Sequence, residues 1–165
     1  MRAVVTGGAG FIGSAVVDRL VAQGSDVLII DDLSGGSETN LKEAYHSGPG
    51  TVHLTVADIG EVGTTEAVAA HRPDVVFHLA AQVNVNSSVD DPVADAHTNI
   101  IGLLRVLNGA QLAGTRKFVF TSSGAIYGEV DPELLPLQED TTRRPLSPYG
   151  VAKLAGVFYL EAYEA

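Results

Sequence analysis

The sequence contains no cysteine and no tryptophan, and it has a single methionine among its 165 residues. The lack of cysteine excludes a disulfide framework, a thiolate nucleophile and a zinc site built on cysteine. No apolar run approaches the roughly 20 residues of a membrane-spanning helix, and the N-terminus lacks the pattern of a signal peptide. We therefore expect no metal site, no membrane partner and a cytoplasmic location.

Basic residues are scarce, since ten Lys and Arg stand against 20 Asp and Glu, and the formal net charge is -10. A surface of this sign repels phosphate backbones and anionic lipids, so a nucleic-acid partner is not expected. Solubility alone explains the acidity equally well. The composition, 45% hydrophobic and 18% charged, is typical of a folded globular protein. The length fits one domain over residues 1–165.

Short β-branched runs alternate with helical patterns along the chain. The runs predict five strands, at Ala3–Thr6, Val27–Asp31, Val52–Val56, Val75–Leu79 and Lys117–Thr121. Helices are predicted at Phe11–Gln23, Glu38–His46, Thr64–His71, Pro92–Ala113 and Pro148–Tyr163. The strand runs are continuously apolar, which is typical of strands covered on both faces. This alternation predicts a parallel α/β sheet with right-handed crossovers.

A glycine-rich turn joins the first predicted strand to the first helix, in the segment VVTGGAGFIGSAVVDRL. Gly8, Gly10 and Gly13 satisfy G-x-G-x-x-G, and Gly7 adds a further flexible position. This pattern permits a tight turn, close approach of the backbone to a pyrophosphate and close packing of helix on strand. The amino end of the helix then offers free N–H groups to phosphates. The segment predicts a dinucleotide site.

Asp31 ends the second predicted strand about 20 residues after the glycines, where an acid accepts hydrogen bonds from the adenosine ribose. A carboxylate at this place repels a 2′-phosphate, so NAD is favoured over NADP as the cofactor. The alternative is that Asp31 and Asp32 are only turn residues before the segment LSGG.

A second group of polar residues follows the fifth predicted strand. Ser122 and Ser123 stand at its carboxyl end, where ligands meet open α/β sheets. Tyr149 and Lys153 lie one turn apart on a helix that Ser147 can cap. A neighbouring ammonium and the positive end of a helix favour the phenolate, so the tyrosine can act as a base. A Tyr-x-x-x-Lys pair alone is more often surface packing.

These motifs together resemble the extended short-chain dehydrogenase/reductase family, and within it the nucleotide-sugar epimerases of the UDP-glucose 4-epimerase type. The segments that carry the resemblance are TGGAGFIG, DDLSGG, ADI, HLAAQ, TNIIG, TSSGAIYG and SPYGVAK. The resemblance implies a Rossmann-type doubly wound parallel sheet, NAD as cofactor and a UDP-sugar as substrate. It also implies a homodimer formed through helices 92–113 and 148–163.

The resemblance assigns Ser123, Tyr149 and Lys153 to catalysis. It places a larger set of residues around NAD: Gly7, Gly10, Phe11, Ile12, Gly13, Asp31, Asp32, Ser34, Gly35, Asp58, Ile59, Leu79, Ala80, Ala81, Gln82 and Asn99, together with Tyr149 and Lys153. Apart from the resemblance, Asp58 would be an ordinary loop acid and Asn99 an ordinary residue of a helix interior.

Three functions remain open at this point. Dehydratases and decarboxylases of the resembled family carry acidic residues just after the serine, where this chain has Gly124 and Ala125. This difference favours epimerisation over dehydration and, less firmly, over decarboxylation of a UDP-uronic acid. The second possibility is such a decarboxylation or another sugar-nucleotide oxidation, such as plain hydroxyl oxidation, on the same scaffold. Because the resembled proteins are longer, we expect the chain to end within the Tyr/Lys helix of an incomplete domain that lacks its substrate part. A non-catalytic NAD-binding or dimerisation module is the third possibility.

Overall fold

The computed structural model describes residues 1–46 and 48–164, and Ser47 and Ala165 lie outside the described residues. The chain divides into two compact units. The first unit comprises Met1–Ala81 and Gly102–Thr121, and the second comprises Gln82–Ile101 and Ser122–Ala165.

One parallel sheet forms the centre of the first unit, in the order β3–β2–β1–β4–β5. Its strands are β1 (Arg2–Thr6), β2 (Asp26–Asp31), β3 (Thr51–Val56), β4 (Val75–His78) and β5 (Lys117–Phe120). Each predicted strand is present, with its ends within one residue of the predicted bounds. The doubly wound topology expected from the sequence is therefore confirmed.

The sheet buries side chains on both faces because consecutive residues of a strand point to opposite sides. Ala3 and Val5 of β1 join one apolar cluster, and Val4 joins another. The first cluster includes residues of α1 (Phe11–Ala22) and α2 (Lys42–His46). The second includes residues of α3 (Gly63–His71) and α6 (Leu103–Ala113). Helices therefore cover both faces of the sheet.

The edge strand β3 departs from the expectation that all strands are covered on both faces. His53 and Thr55 are exposed. Val52 and Leu54, which alternate with them along the strand, are partly buried and pack against the first cluster. β3 lies at one edge of the sheet, and only the face that carries Val52 and Leu54 is packed against the core.

The second unit contains helices α4 (Val85–Asp90), α5 (Pro92–Ala96) and α7 (Pro148–Glu164), with 3₁₀ turns at Gly124–Ile126 and Pro132–Leu134. The helix predicted over 92–113 is correct in extent, yet it is not uniformly α-helical. A π-helical segment, His97–Gly102, lies between α5 and α6. The capping predictions are confirmed: Asp91 accepts from the Ala94 N–H, and Gly114 ends α6 in the left-handed conformation. Helix α4 was not predicted.

We expect Gly109→Ala on α6 to destabilise the protein although alanine favours helices. A Cβ at Gly109 would lie 2.7 Å from the Thr65 carbonyl oxygen and 2.7 Å from Val68 Cβ, so α6 and α3 would have to move apart. Overpacking of this kind costs about 1–3 kcal/mol. Urea denaturation measures the loss. The matched control is Gly63→Ala on α3, where a Cβ meets nothing within 4 Å. An equal loss of stability in both variants would contradict the packing argument.

Candidate functional site

The glycine turn after β1 is packed too closely for side chains at three of its positions, Gly7, Gly8 and Gly13. Gly7 has φ +69°, and a Cβ on it would lie 2.6 Å from the Ala80 backbone nitrogen after β4. A Cβ on Gly13 would lie 2.0 Å from the Gly7 carbonyl oxygen. These close approaches explain why the sequence places glycine there. The chain builds the sheet outward from β1 in both directions, with β2 and β3 on one side and β4 and β5 on the other. Open α/β sheets bind ligands where the strand order reverses in this way.

Helix α1 begins with N–H groups that no side chain caps. Its N-cap residue is Gly10, and the first turn contains no acidic residue. Phe11 and Ile12 follow directly and are 94% and 60% exposed, although both are large and apolar. Free N–H groups and the positive end of a twelve-residue helix form a site suited to phosphate.

Ala9, within the turn, is held by hydrogen bonds at both of its backbone polar groups. Its N–H donates to Asp31 Oδ2 at 2.9 Å, and its carbonyl oxygen accepts from the Ser37 N–H at 3.1 Å and from Asn40 Nδ2 at 2.8 Å. Gly36 approaches equally closely, since a Cβ there would lie 2.8 Å from the Ala9 carbonyl carbon. Sequence reasoning missed Gly36 and Asn40, because their contacts with the turn are tertiary.

The two aspartates at the end of β2 have different surroundings. Asp31 is 7% exposed, and its second oxygen accepts from the Leu33 N–H at 2.9 Å. Asp32 is exposed, and one of its oxygens accepts from both the N–H and the hydroxyl of Ser34. Gly35 follows in open space. Asp31 therefore braces the glycine turn, whereas Asp32 and Ser34 form a local turn of their own.

The ends of β3 and β4 carry the remaining predicted residues of the first unit. Asp58 Oδ1 accepts from the Gly60 N–H at 2.7 Å, which shapes the chain before α3. The Ile59 side chain is buried in the second apolar cluster, so only its backbone remains available to a ligand. After β4, Leu79 and Ala81 flank Ala80, whose N–H donates to the Thr6 hydroxyl at 3.3 Å.

In the second unit, Tyr149 and Lys153 lie together on α7, as the spacing predicts. Ser147 caps the helix, since its hydroxyl accepts from the Gly150 N–H at 3.1 Å. Both side chains are buried, and Lys153 Nζ lies 6.0 Å from the centre of the Tyr149 ring. Burial lowers the pKa of Lys153 to about 8, against the opposing effect of Asp95. An ammonium with a pKa in this range is unusual and is typical of functional sites.

Ser123 opens the 3₁₀ turn Gly124–Ile126, and this turn packs against α7. The Ser123 hydroxyl oxygen accepts from the Ala125 N–H at 3.1 Å. A hydroxyl that accepts in this way retains its hydrogen as a donor. The turn lies close to the start of α7, because a Cβ at Gly150 would lie 2.7 Å from the Ala125 carbonyl oxygen.

Gln82 and Asn99, both predicted around the cofactor, bind each other and a buried carboxylate. Asn99 Oδ1 accepts from the Gln82 N–H at 3.1 Å, and Asn99 Nδ2 donates to the Gln82 carbonyl oxygen at 2.9 Å. Asp95 Oδ1 accepts from the side-chain amides of both residues at 2.9 Å. Sequence reasoning missed Asp95, because an acidic residue in the first turn of a helix is ordinary.

The structure thus arranges the predicted residues in two groups. The glycine turn, Asp31, Asp58 and Ala80 belong to the first unit, and Gln82, Asn99, Ser123, Tyr149 and Lys153 belong to the second. Within residues 1–46 and 48–164, His, Cys, Asp and Glu form no cluster suited to a metal ion. Over the same described ranges, no helix is long and apolar enough to cross a membrane.

Comparison with known proteins identifies the family. A model described as the NAD dependent epimerase/dehydratase family matches residues 3–165. The chain belongs to this family. UDP-glucose 4-epimerase of Mycolicibacterium smegmatis is 48% identical over 164 residues, which are 99% of this chain and 51% of that protein. A putative UDP-glucose 4-epimerase of Methanocaldococcus jannaschii is 40% identical over 97% of this chain and 50% of its own length.

Solved structures of the family match the fold as well. UDP-glucose 4-epimerase of Thermotoga maritima, solved with UDP-glucose, has a TM-score of 0.89 and 43% identity over 99% of this chain and 51% of its own. The Thermus thermophilus enzyme, solved with NAD, has a TM-score of 0.88 and 41% identity over 99% of this chain and 50% of its own. The chain therefore spans about half the length of the family members that it matches.

We expect Asp31→Ala to destabilise the glycine turn much more than Asp32→Ala. The first change removes a buried charged acceptor from two backbone N–H groups, which costs about 2–3 kcal/mol. The second removes only an exposed local turn, at a cost of less than about 1 kcal/mol. Urea denaturation of both variants measures the difference, and equal losses would show that Asp31 does not brace the turn.

Proposed function

We propose that this chain is the NAD-binding and acid/base part of a nucleotide-sugar 4-epimerase, with residues 1–165 as an incomplete Rossmann domain. The observation that carries the proposal is the buried Tyr149–Lys153 pair at the start of α7, in a chain that also has a glycine turn suited to phosphates. The similar proteins from Mycolicibacterium smegmatis and Thermotoga maritima are named UDP-glucose 4-epimerases.

The residues of the first unit fit a dinucleotide. The uncapped N–H groups of α1 suit the pyrophosphate, and the Asp31 carboxylate suits the adenosine ribose because each oxygen has a second lone pair to accept with. Asp58 suits an adenine amino group. The remaining members of the predicted set, from Gly7 to Asn99, line the cofactor in this proposal. When bound, NAD would supply reversible hydride transfer at the sugar carbon, and the 4-keto sugar would have to turn over in the site before the hydride is returned to its opposite face.

The residues of the second unit move the proton. Tyr149, as phenolate, takes the proton of the sugar 4-hydroxyl and gives it back to the 4-keto oxygen when the hydride returns. The Lys153 ammonium favours the phenolate by its positive charge, and it also binds the nicotinamide ribose. The Ser123 hydroxyl, which retains its hydrogen as a donor, holds the sugar oxygen during the transfer.

The absence of a further acid beside Ser123 favours epimerisation. Gly124 and Ala125 occupy the two positions after the serine, and neither can protonate a leaving hydroxyl or assist elimination. Epimerisation needs only the proton carried by Tyr149 and the recycled hydride. We propose a UDP-sugar as the substrate, because the solved Thermotoga maritima relative is described with UDP-glucose.

We also propose that the chain forms a homodimer in the cytoplasm. Exposed apolar side chains on both predicted interface helices support the dimer, with Leu112 on α6 and Val151, Phe158 and Tyr159 on α7. The location rests on the sequence composition alone.

We expect Tyr149→Phe to abolish interconversion of UDP-glucose and UDP-galactose while NAD binding is retained. Loss of the phenol removes the proton acceptor, and general acid/base catalysis of this kind contributes about 10²–10⁴-fold. Because the proposed domain is incomplete, the assay measures product formation with added NAD and with the substrate part supplied, and calorimetry measures NAD affinity. Tyr45→Phe, which removes an exposed phenol from α2, is the matched control.

The two measurements separate the remaining functions. Near-wild-type turnover of Tyr149→Phe would contradict the assigned mechanism. NAD binding without interconversion by the unmodified chain would favour a non-catalytic module. Release of CO₂ from a UDP-uronic acid would identify a decarboxylase, and failure to bind NAD would overturn the proposal as a whole.

A further inference from the structure

Asp95 is a buried carboxylate that the proposed reaction does not use. Asp95 is 1% exposed, and its Oδ1 accepts from the side-chain amides of Gln82 and Asn99 at 2.9 Å. Oδ2 is also buried, and within the described part of the chain it has no hydrogen-bond partner. A buried carboxylate with one oxygen lacking a hydrogen-bond partner is costly unless an opposite charge lies near it.

The compensating charge is on α7. Helix α5, which carries Asp95, packs against α7, which carries the equally buried Lys153. The two charges interact: Lys153 lowers the pKa of Asp95 against the larger raising effect of burial, and Asp95 raises the pKa of Lys153. Each group therefore favours the charged form of the other.

Other titratable groups near α7 do not replace Asp95. Helix α4 and the 3₁₀ turn Gly124–Ile126 also pack against α7. The turn carries no titratable side chain, and Asp90 on α4 is exposed to solvent, which screens its charge. On α7 itself, the Tyr149 ring lies beside Lys153. Burial lowers the pKa of Lys153, and Asp95 raises it against that effect.

We propose that Asp95 is a positioning residue: its buried carboxylate supplies the opposite charge for the buried Lys153 on the packed helix α7, and its Oδ1 holds the Gln82 and Asn99 amides in place. The inference rests on the proposed function for the roles of Tyr149 and Lys153 in proton transfer. The coupling of the two buried charges does not depend on that function.

The sign of the effect follows from the burial of Lys153. The ammonium exists below its pKa of about 8, which lies under the ordinary 10.5 because burial disfavours charge. Removal of the Asp95 charge removes the effect that opposes burial, so Lys153 loses its proton at a lower pH. Tyr149 then loses its positive neighbour over part of the neutral range.

Asp95→Asn separates the charge from the hydrogen bonds. An asparagine retains a carbonyl oxygen that can accept from Gln82 and Asn99, so the two amide contacts are kept while the negative charge is lost. Asp90→Asn removes the same charge from the exposed end of α4 and serves as the matched control. Circular dichroism confirms that both variants are folded.

The readout is the titration of Lys153, followed by NMR in protein labelled with ¹³C,¹⁵N-lysine. The chain contains three lysines, at positions 42, 117 and 153, so three side-chain signals are expected, and Lys42→Arg and Lys117→Arg assign them. We expect the Lys153 midpoint to move to lower pH in Asp95→Asn and to stay unchanged in Asp90→Asn. Coincident Lys153 titrations in wild type and Asp95→Asn would overturn the proposal.

A second measurement needs no variant and stands if Asp95→Asn does not fold. In wild-type protein, protonation of Asp95 at acid pH should appear as an additional inflection in the Lys153 signals, and its absence would overturn the coupling. Where interconversion is measured, the alkaline limb of its pH profile should shift to lower pH in Asp95→Asn. The expected titration result in a chain that does not bind NAD would refute the proposed function and leave the charge coupling standing.

Discussion

The hydrogen bond from the Ala9 N–H to the Asp31 carboxylate is the interaction on which the first unit depends. It joins the turn after β1 to the end of β2, and Ser37 and Asn40 hold the Ala9 carbonyl oxygen from the same side. With Ala9 fixed in this way, the next N–H groups, at the start of α1, remain uncapped. One carboxylate thus gives the turn its shape and, in the proposed function, also recognises the ribose.

The second unit depends on a different constraint, the burial of charge. A lysine in the protein interior is unfavourable, and a buried carboxylate is unfavourable too, yet Lys153 and Asp95 occupy helices that pack together. Hydrogen bonds from Gln82 and Asn99 satisfy one carboxylate oxygen only. The burial of two charged side chains at a cost in stability is typical of functional sites. In the proposed function, the reacting groups Tyr149 and Lys153 belong to this unit.

The parts of the fold that depend on local pattern were predictable from the sequence. The strands are continuous β-branched runs, and the caps at Asp91 and Ser147 precede proline, so each signal is contained within a few residues. Helix α4 was missed because VNSSVD shows little apolar periodicity, and its cap is Asn84. The π-helical segment has no recognisable period of its own.

The site was predictable to the extent that its residues form motifs. The glycine turn, Asp31, Tyr149 and Lys153 follow spacings that a known chemistry requires. Asp95, Gly36 and Asn40 belong to no such pattern, and their importance comes from contacts with residues distant in the chain. The sequence also did not indicate that the Ile59 side chain is buried, because an apolar residue after a strand suits a core and a ligand site equally.

The position of β1 in the sheet has a consequence for how the protein assembles during synthesis. β1 leaves the ribosome before the other four strands of the sheet, yet it lies between β2 and β4, and Thr6 meets His78 across 72 positions of sequence. The half-sheet of β1, β2 and β3 can pair while the rest is being translated. The Gly7 approach to Ala80 must wait for β4. The residues that form the Asp31 brace are therefore all synthesised before Ala80, which Gly7 approaches.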